Sequence, residues 1–261
     1  MTAPSSKAPR QRLDLVMVEQ GKAESRARAQ ALIMAGRVSV AGRRVDKPGT
    51  LVAVDATVEV ADRGAMFVSR GGEKLAGALQ AFASHGLTVV GKTAADFGSS
   101  TGGFVDCLLQ HGAVRVHAID VGQGLLHEKL RADPRVVVHE RTNARFVDAA
   151  ALGETVDMVV VDASFIGLGK LLAAVVRVLG AGGELVALVK PQFEAGRREV
   201  SRGRGVIRDE RTRARVVQEV IARMVDAGFE VVADAPCVVL GPKGNQEHFV
   251  FARLRSKGDV G

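Results

Sequence analysis

The chain has 261 residues, of which 47% are hydrophobic and 25% charged, as expected for a globular protein with one large domain or two smaller ones. No stretch approaches the roughly 20 consecutive apolar residues of a membrane span, and residues 1–11 lack the apolar core of a secretory signal. Two cysteines provide neither a disulfide framework nor the spacing of a metal site, so we expect a cytoplasmic protein without a metal.

The net charge of +7 is concentrated near the start of the chain. Residues 1–47 contain ten Lys and Arg against four Asp and Glu, whereas the remaining residues are almost neutral. This asymmetry predicts a small basic module joined to a larger domain, although a solvated basic surface would give the same count.

Local signals give the basic module two helices and a short sheet. The first helix is predicted over residues 13–19, and Ser25 caps a second one that ends at Gly36. Residues 38–40 form a strand, a turn at residues 41–42 leads to a return strand that begins at residues 44–45, and residues 52–60 supply a further strand. This layout resembles the S4 RNA-binding domain; a plain pair of basic helices is the alternative. The cations expected to contact RNA phosphates are Arg12, Arg26, Arg28, Arg37, Arg43, Lys47 and Arg70.

Strands and helices alternate from Phe67 onward. We predict strands over residues 93–96, 115–120, 136–139, 158–161, 184–189, 229–240 and 248–254, and helices over residues 75–83, 104–110, 167–178 and 210–227. Such alternation predicts an α/β fold with a mostly parallel sheet covered on both faces. No helix separates the last two strands, so they should form a hairpin with an antiparallel final strand. The domains are placed at residues 1–61 and 68–261, with a linker at residues 62–67.

A glycine-rich segment ends the first of these strands and opens a helix. Its glycines let the backbone turn sharply and approach a ligand, towards which free amides at the helix start would point. Similar segments bind nicotinamide and flavin cofactors, but the spacing of Gly98, Gly102 and Gly103 behind an acid favours S-adenosylmethionine. The residues expected at the cofactor are Asp96, Gly98, Ser99, Ser100, Thr101, Gly102, Gly103, Phe104, Asp120, Asn143 and Asp162.

Two of these residues have specific expected roles. Asp120 ends the second strand, where an acid binds a ribose diol in several nucleotide-binding families. Asn143 follows the third strand and is expected either beside the adenine or as a turn former.

Ionisable residues also gather at one edge of the predicted sheet. Asp162 and Lys190 follow parallel strands, and Glu247 precedes the antiparallel strand, whose start lies at the same edge. Together with Lys74 they make two lysines and two carboxylates, a costly set as structure alone, although Lys74 or Glu247 singly would be an ordinary surface residue. Methyl transfer to a hydroxyl needs a proton acceptor. Lys190 is the predicted base, with Asp162 and Glu247 orienting the lysines and the hydroxyl.

Four sequence phrases, at residues 68–75, 96–104, 161–166 and 189–194, resemble the hemolysin A (TlyA) family. That resemblance implies a small α+β S4 domain before an FtsJ-like domain, whose Rossmann-like class I methyltransferase sheet has an antiparallel last strand. It also implies 2′-O-methylation of cytidine in ribosomal RNA, with Lys74, Asp162, Lys190 and Glu247 as the catalytic tetrad. The expected partners are ribosomal RNA or ribosomal subunits and no membrane, for a protein acting as a monomer. Relatives often carry Trp or Tyr where this chain has Met66 and Phe67.

The sequence argues against three other functions. The tetrad argues against an inactive RNA-binding protein, and the lack of a signal, a span or a long amphipathic basic helix argues against a membrane-lysing toxin. A base methyltransferase using Cys237 as nucleophile is disfavoured because we expect Cys237 inside an apolar strand, away from Asp162.

Two further features have open interpretations. Phe165 either stacks on an extruded base or belongs to the core. A basic loop after the predicted catalytic lysine either grips RNA phosphates or is simply solvated; its members are Arg197, Arg198, Arg202, Arg204 and Arg208.

Overall fold

The computed structural model describes residues 9–60, 66–164, 166–195 and 206–255. The chain divides into two compact units, Met1–Arg70 and Gly71–Gly261. The strands are β1 (Arg10–Arg12), β2 (Val38–Val40), β3 (Arg43–Arg44), β4 (Leu51–Ala53), β5 (Val58–Val60), β6 (Thr93–Phe97), β7 (Arg115–Ile119), β8 (Val136–His139), β9 (Val156–Val161), β10 (Leu179–Val189), β11 (Phe229–Pro236) and β12 (His248–Leu254).

The α-helices are α1 (Leu13–Glu19), α2 (Arg26–Met34), α3 (Arg70–Phe82), α4 (Gly103–Gln110), α5 (Glu128–Arg131), α6 (Ala149–Leu152), α7 (Leu172–Val178), α8 (Pro191–Glu194) and α9 (Glu210–Asp226). Short 3₁₀ helices span Ala83–His85, Ala144–Phe146, Leu168–Lys170 and Pro242–Gly244. Within the described ranges, no helix is both long enough and apolar enough to cross a membrane.

The first unit packs two short helices on two small antiparallel sheets. β1 pairs with β4, and β2 lies between β3 and β5. The apolar sides of α1 and α2 meet in a core that contains Leu13, Met17 and Ile33. Ser25 caps α2, as predicted, because its Oγ accepts a hydrogen bond from the Arg28 amide. The predicted two-helix arrangement is therefore present, although residues 52–60 form two short strands instead of one.

A buried carboxylate ties the start of this unit together. Asp14 is fully buried, and its side chain accepts hydrogen bonds from Arg12, Arg26 and Gln30. The hydrogen bonds from the Arg12 guanidinium outweigh the cost of burial and hold the pKa of the Asp14 carboxyl well below its usual range. Two arginines near the helix starts are thus engaged by an acid of the same unit.

The second unit contains a seven-stranded sheet in the order β11-β12-β10-β9-β6-β7-β8, in which β12 runs antiparallel to its neighbours β10 and β11. The chain proceeds outward from β6 through β7 to β8 and then returns to β9 on the other side of β6. Open α/β sheets bind ligands where the order reverses, at the carboxyl ends of the strands. The predicted Rossmann-like fold and antiparallel last strand are confirmed.

Helices α7 and α9 cover one face of the sheet with apolar side chains. Val175 of α7 and Val220 of α9 belong to the same buried cluster as Val159 and Val161 of β9. Alternate residues of a strand point to one face, so this pattern fixes which side of β9 the two helices cover. The side chains at the ends of the strands are left to form the functional edge.

Several predicted boundaries were wrong. α3 begins at Arg70, five residues before the predicted start, and the helix predicted over residues 167–178 is a 3₁₀ turn followed by α7. β11 ends at Pro236 because the chain then turns away from the sheet, leaving Val238 72% exposed and Leu240 52% exposed. Their hydrophobicity had extended the predicted strand beyond its true end.

Two histidines, of which His117 is buried and His139 half-buried, make a polar chain between β7 and β8. His117 Nδ1 lies 2.9 Å from His139 Nε2, and His117 Nε2 lies 3.1 Å from Glu154 Oε1. Burial lowers the pKa of His117 despite the neighbouring Glu154 carboxylate, and burial together with His117 lowers that of His139. The folded protein therefore favours neutral imidazoles at this position.

This histidine chain should make the second unit sensitive to acid. Below about pH 6.5 these two histidines bind protons more readily in the unfolded chain than in the folded protein. The free energy of unfolding should therefore fall as the pH drops from about 7 to about 5. Replacing His117 with Gln should reduce that slope, measured by urea unfolding at stepped pH. His85→Gln, at an exposed position, should leave the slope unchanged. Identical slopes for the native protein and His117→Gln would contradict the assignment.

Candidate active site

A cavity of about 480 Å³ opens at the carboxyl ends of β6, β7 and β9, within the size range of small-molecule sites. Its position is the one expected from the reversal of strand order. The predicted cofactor residues that line it are Gly98, Ser100, Asp120, Asn143 and Asp162. Five predicted residues lie in one cavity although they come from four separate segments.

The other predicted cofactor residues do not line this cavity. Phe104 is buried and its ring lies 6.1 Å from that of Phe249, a contact within the core. Gly102 is the N-cap of α4 with φ of 94°, and a Cβ there would meet Leu126 and Leu130. Asp96 lies in β6, Ser99 and Thr101 lie in the loop that follows it, and Gly103 is the first residue of α4. These residues therefore shape the loop around the cavity.

Gly98 allows the loop to pass close to the neighbouring strand end. Its φ is +94°, a conformation that L side chains rarely adopt, and an added Cβ would lie 3.3 Å from both Asp162 O and Ala163 Cα. Both neighbouring atoms are backbone and cannot swing away. The glycine thus permits the approach of two strand ends that line the cavity.

Replacing Gly98 with Ala should weaken cofactor binding by about tenfold, because strain of about 1–3 kcal/mol is relieved only by moving the loop. Titration calorimetry with S-adenosylmethionine measures this change directly. Gly182→Ala is the matched control, since Gly182 also has positive φ (+69°) but lies in β10 with no atom near its added Cβ. Unchanged affinity in Gly98→Ala would show that this contact does not shape the site.

The side chains of Asp120 and Asn143 line the cavity and also accept hydrogen bonds from the backbone around it. The Asp120 carboxylate accepts hydrogen bonds from the amides of Ser100 at 2.8 Å and Gly122 at 2.7 Å. Asn143 Oδ1 accepts from the Arg145 amide at 3.1 Å and caps a 3₁₀ helix. Asn143 is therefore a turn former that also lines the cavity, so its two predicted roles are compatible.

The electrostatics of the cavity favour a cationic ligand. Asp96 is buried in β6, beside Phe97 and Gly98 of the cavity lining, and its carboxylate accepts no hydrogen bond of normal geometry within the described part of the chain. Burial, followed by repulsion from Asp162 and Asp120, raises the pKa of Asp96 well above its usual value, and the nearby Val105 amide offsets only part of this. A positive charge in the cavity would offset the repulsion between Asp96 and Asp120, neither of which forms an ion pair with a described residue. S-adenosylmethionine carries a sulfonium and an ammonium, so the residues fit it.

The four predicted catalytic residues form two ion pairs. Lys190 Nζ lies 2.5 Å from Asp162 Oδ1 and donates a hydrogen bond to Ser164 Oγ at 2.9 Å. Lys74 Nζ donates to Glu247 Oε2 at 2.5 Å. Lys74 and Lys190 are nearly buried and Glu247 is fully buried, so each ammonium lies where an unpaired charge would be costly.

Gln192 contacts the second of these ion pairs. It lies two residues after Lys190, and its Nε2 donates a hydrogen bond to Glu247 Oε1 at 3.2 Å. Because Asp162 and Ser164 line the cofactor cavity, Lys190 lies beside it. Glu247, the partner of Lys74, directly precedes His248, which pairs with Val189 at the end of β10. The structure therefore brings all four predicted residues to the edge of the sheet that holds the cavity.

Three neighbours of the ion pairs were missed by sequence reasoning. Ser164 and Gln192 lie within the phrases that suggested the family, but no pattern assigned them partners. Gly241 makes room for Glu247, because an added Cβ would lie 2.4 Å from Glu247 Oε1. This requirement depends on packing between residues that sequence spacing does not reveal.

The prediction that Cys237 lies within a strand and far from the site was wrong. It follows the end of β11, its amide donates to Glu247 O at 2.9 Å, and its thiol is affected by the charges of Lys74, Glu247 and Asp162. Burial nevertheless raises the pKa of the thiol, which favours the unreactive protonated form. Its environment therefore suits packing better than nucleophilic catalysis.

The predicted RNA-binding cations fall into three groups. Arg12 and Arg26 pair with buried Asp14, and Arg70 pairs with Asp46 at 2.9 Å, whereas Arg37 is half-buried. The cations that are exposed and form no ion pair with a described residue are Arg28, Arg43 and Lys47. Of the predicted basic loop, Arg208 is exposed, while Arg197, Arg198, Arg202 and Arg204 lie outside the described residues, as does Phe165.

Comparisons with known proteins cover both units. The FtsJ-like methyltransferase family matches residues 67–254, and the S4 domain matches residues 11–58. The 16S/23S rRNA (cytidine-2′-O)-methyltransferase TlyA of Mycobacterium tuberculosis is 45% identical over 95% of this chain and 92% of its own. Hemolysin A of Brachyspira hyodysenteriae is 40% identical over 92% of this chain and 100% of its own. A solved structure from Streptococcus thermophilus, described as a candidate hemolysin, is 38% identical, with a TM-score of 0.73 over 95% of this chain and 89% of its own.

Proposed function

This chain belongs to the FtsJ-like methyltransferases of the hemolysin A (TlyA) family and uses S-adenosylmethionine, and on that premise we propose that it methylates the 2′-hydroxyl of a cytidine in ribosomal RNA. The observation that carries the proposal is the pair of buried lysine–carboxylate contacts beside the cofactor cavity. Cytidine and ribosomal RNA are taken from the name of the Mycobacterium tuberculosis relative.

The bound cofactor supplies an electrophilic methyl group on a sulfonium. Asp120 and Asn143 face the cavity on the β7 and β8 side, where they would hold the nucleoside part, and Asp162 faces it on the β9 side. The attacking oxygen must approach the methyl carbon opposite the sulfur, so catalysis depends on holding the target ribose in line. Residues beside Asp162 are placed for that task.

Lys190 is the group that takes the hydroxyl proton in this mechanism. The cofactor would supply the methyl group, and its carbon–sulfur bond would break to release a neutral thioether as the ribose oxygen takes the methyl. The Nζ lone pair of Lys190 in its neutral form would accept the proton of the 2′-hydroxyl. The resulting ammonium is then neutralised by Asp162, whose Oδ1 lies 2.5 Å from Nζ, and donates to Ser164 Oγ at 2.9 Å. Lys74 and Glu247 pair at the same edge of the sheet, where the neutralised pair would orient the ribose at low cost in unpaired charge.

The first unit supplies the RNA contacts in this proposal. Arg28, Arg43 and Lys47 are exposed and form no ion pair with a described residue, so they are available to phosphates. Phosphate contacts position an RNA without reading its bases. The proposed partners are ribosomal RNA or ribosomal subunits in the cytoplasm, with the protein acting as a monomer.

Mass mapping of ribosomal RNA tests this function. Naked RNA and each ribosomal subunit are incubated with the native protein, with and without S-adenosylmethionine, and digested to nucleosides and fragments. We expect a gain of one methyl on a cytidine ribose that requires both protein and cofactor. Absence of a methyl from every substrate, despite demonstrated cofactor binding, would leave an RNA-binding protein or a different substrate. A methyl on a base would replace the proposed reaction.

A further inference from the structure

Gln192 presents a buried acceptor that no group of the described chain satisfies. Its Nε2 donates to Glu247 Oε1 at 3.2 Å, while its Oε1 is buried without a hydrogen-bond partner. Buried polar atoms are usually satisfied, and each exception calls for a cause such as a bound ligand. An acceptor of this kind beside a proposed catalytic carboxylate is suited to a donor from the substrate.

The chemistry of the neighbours determines which end of the amide faces which group. Glu247 also accepts a hydrogen bond from Lys74 at 2.5 Å, so its carboxylate is ionised in this arrangement and only accepts. The amide nitrogen of Gln192 must therefore face Glu247, because a flipped amide would place two acceptors together. The carbonyl oxygen is left for another donor.

The position of Gln192 is coupled to that of the proposed base. Pro191 is the first residue of α8, directly after Lys190 at the end of β10, and proline favours that helical position. Gln192 is the next residue of the same helix, so its side chain and that of Lys190 are supported by one short segment. A nucleotide whose ribose contacts Lys190 would have its base close to this segment.

The target nucleotide offers few donors for this oxygen. Within an RNA chain the 3′ and 5′ oxygens of a ribose are esterified, and the proton of the 2′-hydroxyl passes to Lys190 in the proposed mechanism. The remaining donors belong to the base. At ring position 4, cytosine carries an amine and uracil a carbonyl, so an acceptor facing this position would favour cytosine and oppose uracil.

Building on the proposed 2′-O-methylation, we propose that Gln192 Oε1 accepts a hydrogen bond from the 4-amino group of the target cytosine and so selects cytidine against uridine. The contact with Glu247 holds the amide in the required orientation. A site built to pair with a donor rejects an analogue that lacks it, because its own buried acceptor is then unsatisfied.

The test compares two RNAs that differ by one group at the methylated position. One carries cytidine, and the other carries the 2-pyrimidinone ribonucleoside, which lacks only the 4-amino group. The native protein should show kcat/KM at least about tenfold lower on the second RNA. Gln192→Met should lower the rate on cytidine and remove the difference between the RNAs. Gln110→Met is the matched control, since exposed Gln110 also donates to a carboxylate, that of Asp106, and should keep the native difference.

Equal rates of the native protein on the two RNAs would overturn the proposal without any variant. An undiminished difference in Gln192→Met would also overturn it, since another residue would then read the amine. If Gln192→Met does not fold, Gln192→Asn, which withdraws the amide by one methylene, should narrow the difference. Failure of the proposed 2′-O-methylation can be distinguished from failure of the Gln192 proposal, because the native protein would then methylate neither RNA.

Discussion

Replacing Lys190 with Ala should lower kcat for RNA methylation by about 10²–10⁴-fold, the range that a positioned general base contributes. The loss should appear in kcat because the side chain acts on the hydroxyl proton during the reaction. Transfer of labelled methyl groups to RNA measures the rate, and calorimetry should show that S-adenosylmethionine still binds. Lys129→Ala is the control, since Lys129 is 65% exposed and pairs with Asp106; it should methylate at the native rate.

A second substitution separates proton transfer from simple positive charge. Lys190→Arg keeps a cation opposite Asp162, but a guanidinium is not deprotonated in proteins. If Lys190 takes the proton, Arg should be nearly as inactive as Ala at this position. Activity of Lys190→Arg close to the native rate would mean that the residue acts by its charge, and the proton would need another acceptor.

Removing Glu247 should destabilise the second unit by about 3–5 kcal/mol and abolish methylation. Glu247→Ala leaves Lys74 nearly buried without its partner, and breaking a buried pair costs about this much. The double variant Lys74→Met with Glu247→Leu removes both charges and should recover most of the stability. Denaturant unfolding measures the free energies, and methyl transfer measures activity on the same samples.

The double variant distinguishes a structural pair from a functional one. We expect it to be folded and to bind S-adenosylmethionine while remaining inactive, because the wall that orients the ribose has lost its polar groups. Native activity in this variant would assign Lys74 and Glu247 to structure. If the double variant were as unstable as Glu247→Ala, the loss of stability would come from altered packing around Gly241 and Gln192 and not from the unpaired Lys74 ammonium.

Element type and order could be predicted because each leaves a local pattern. Apolar residues recur along helices and strands with different periods, and the absence of a helix between β11 and β12 was enough to predict an antiparallel last strand. Element ends were less predictable, since they depend on where the chain leaves its neighbours. Val238 and Leu240 are apolar yet exposed, and hydrophobicity alone assigned them to β11.

The sequence by itself determined the two-part organisation, the α/β order and the sheet edge that gathers the cofactor loop with Asp162, Lys190 and Glu247, because strand direction places strand ends without side-chain detail. Only the tertiary structure decided which charged side chains pair with each other. Lys74 and Glu247 are separated by 173 positions, and the engagement of Arg12 and Arg26 by Asp14 leaves no pattern in composition. Such pairings arise from burial, which makes an unpaired charge costly and so selects the neighbour that neutralises it.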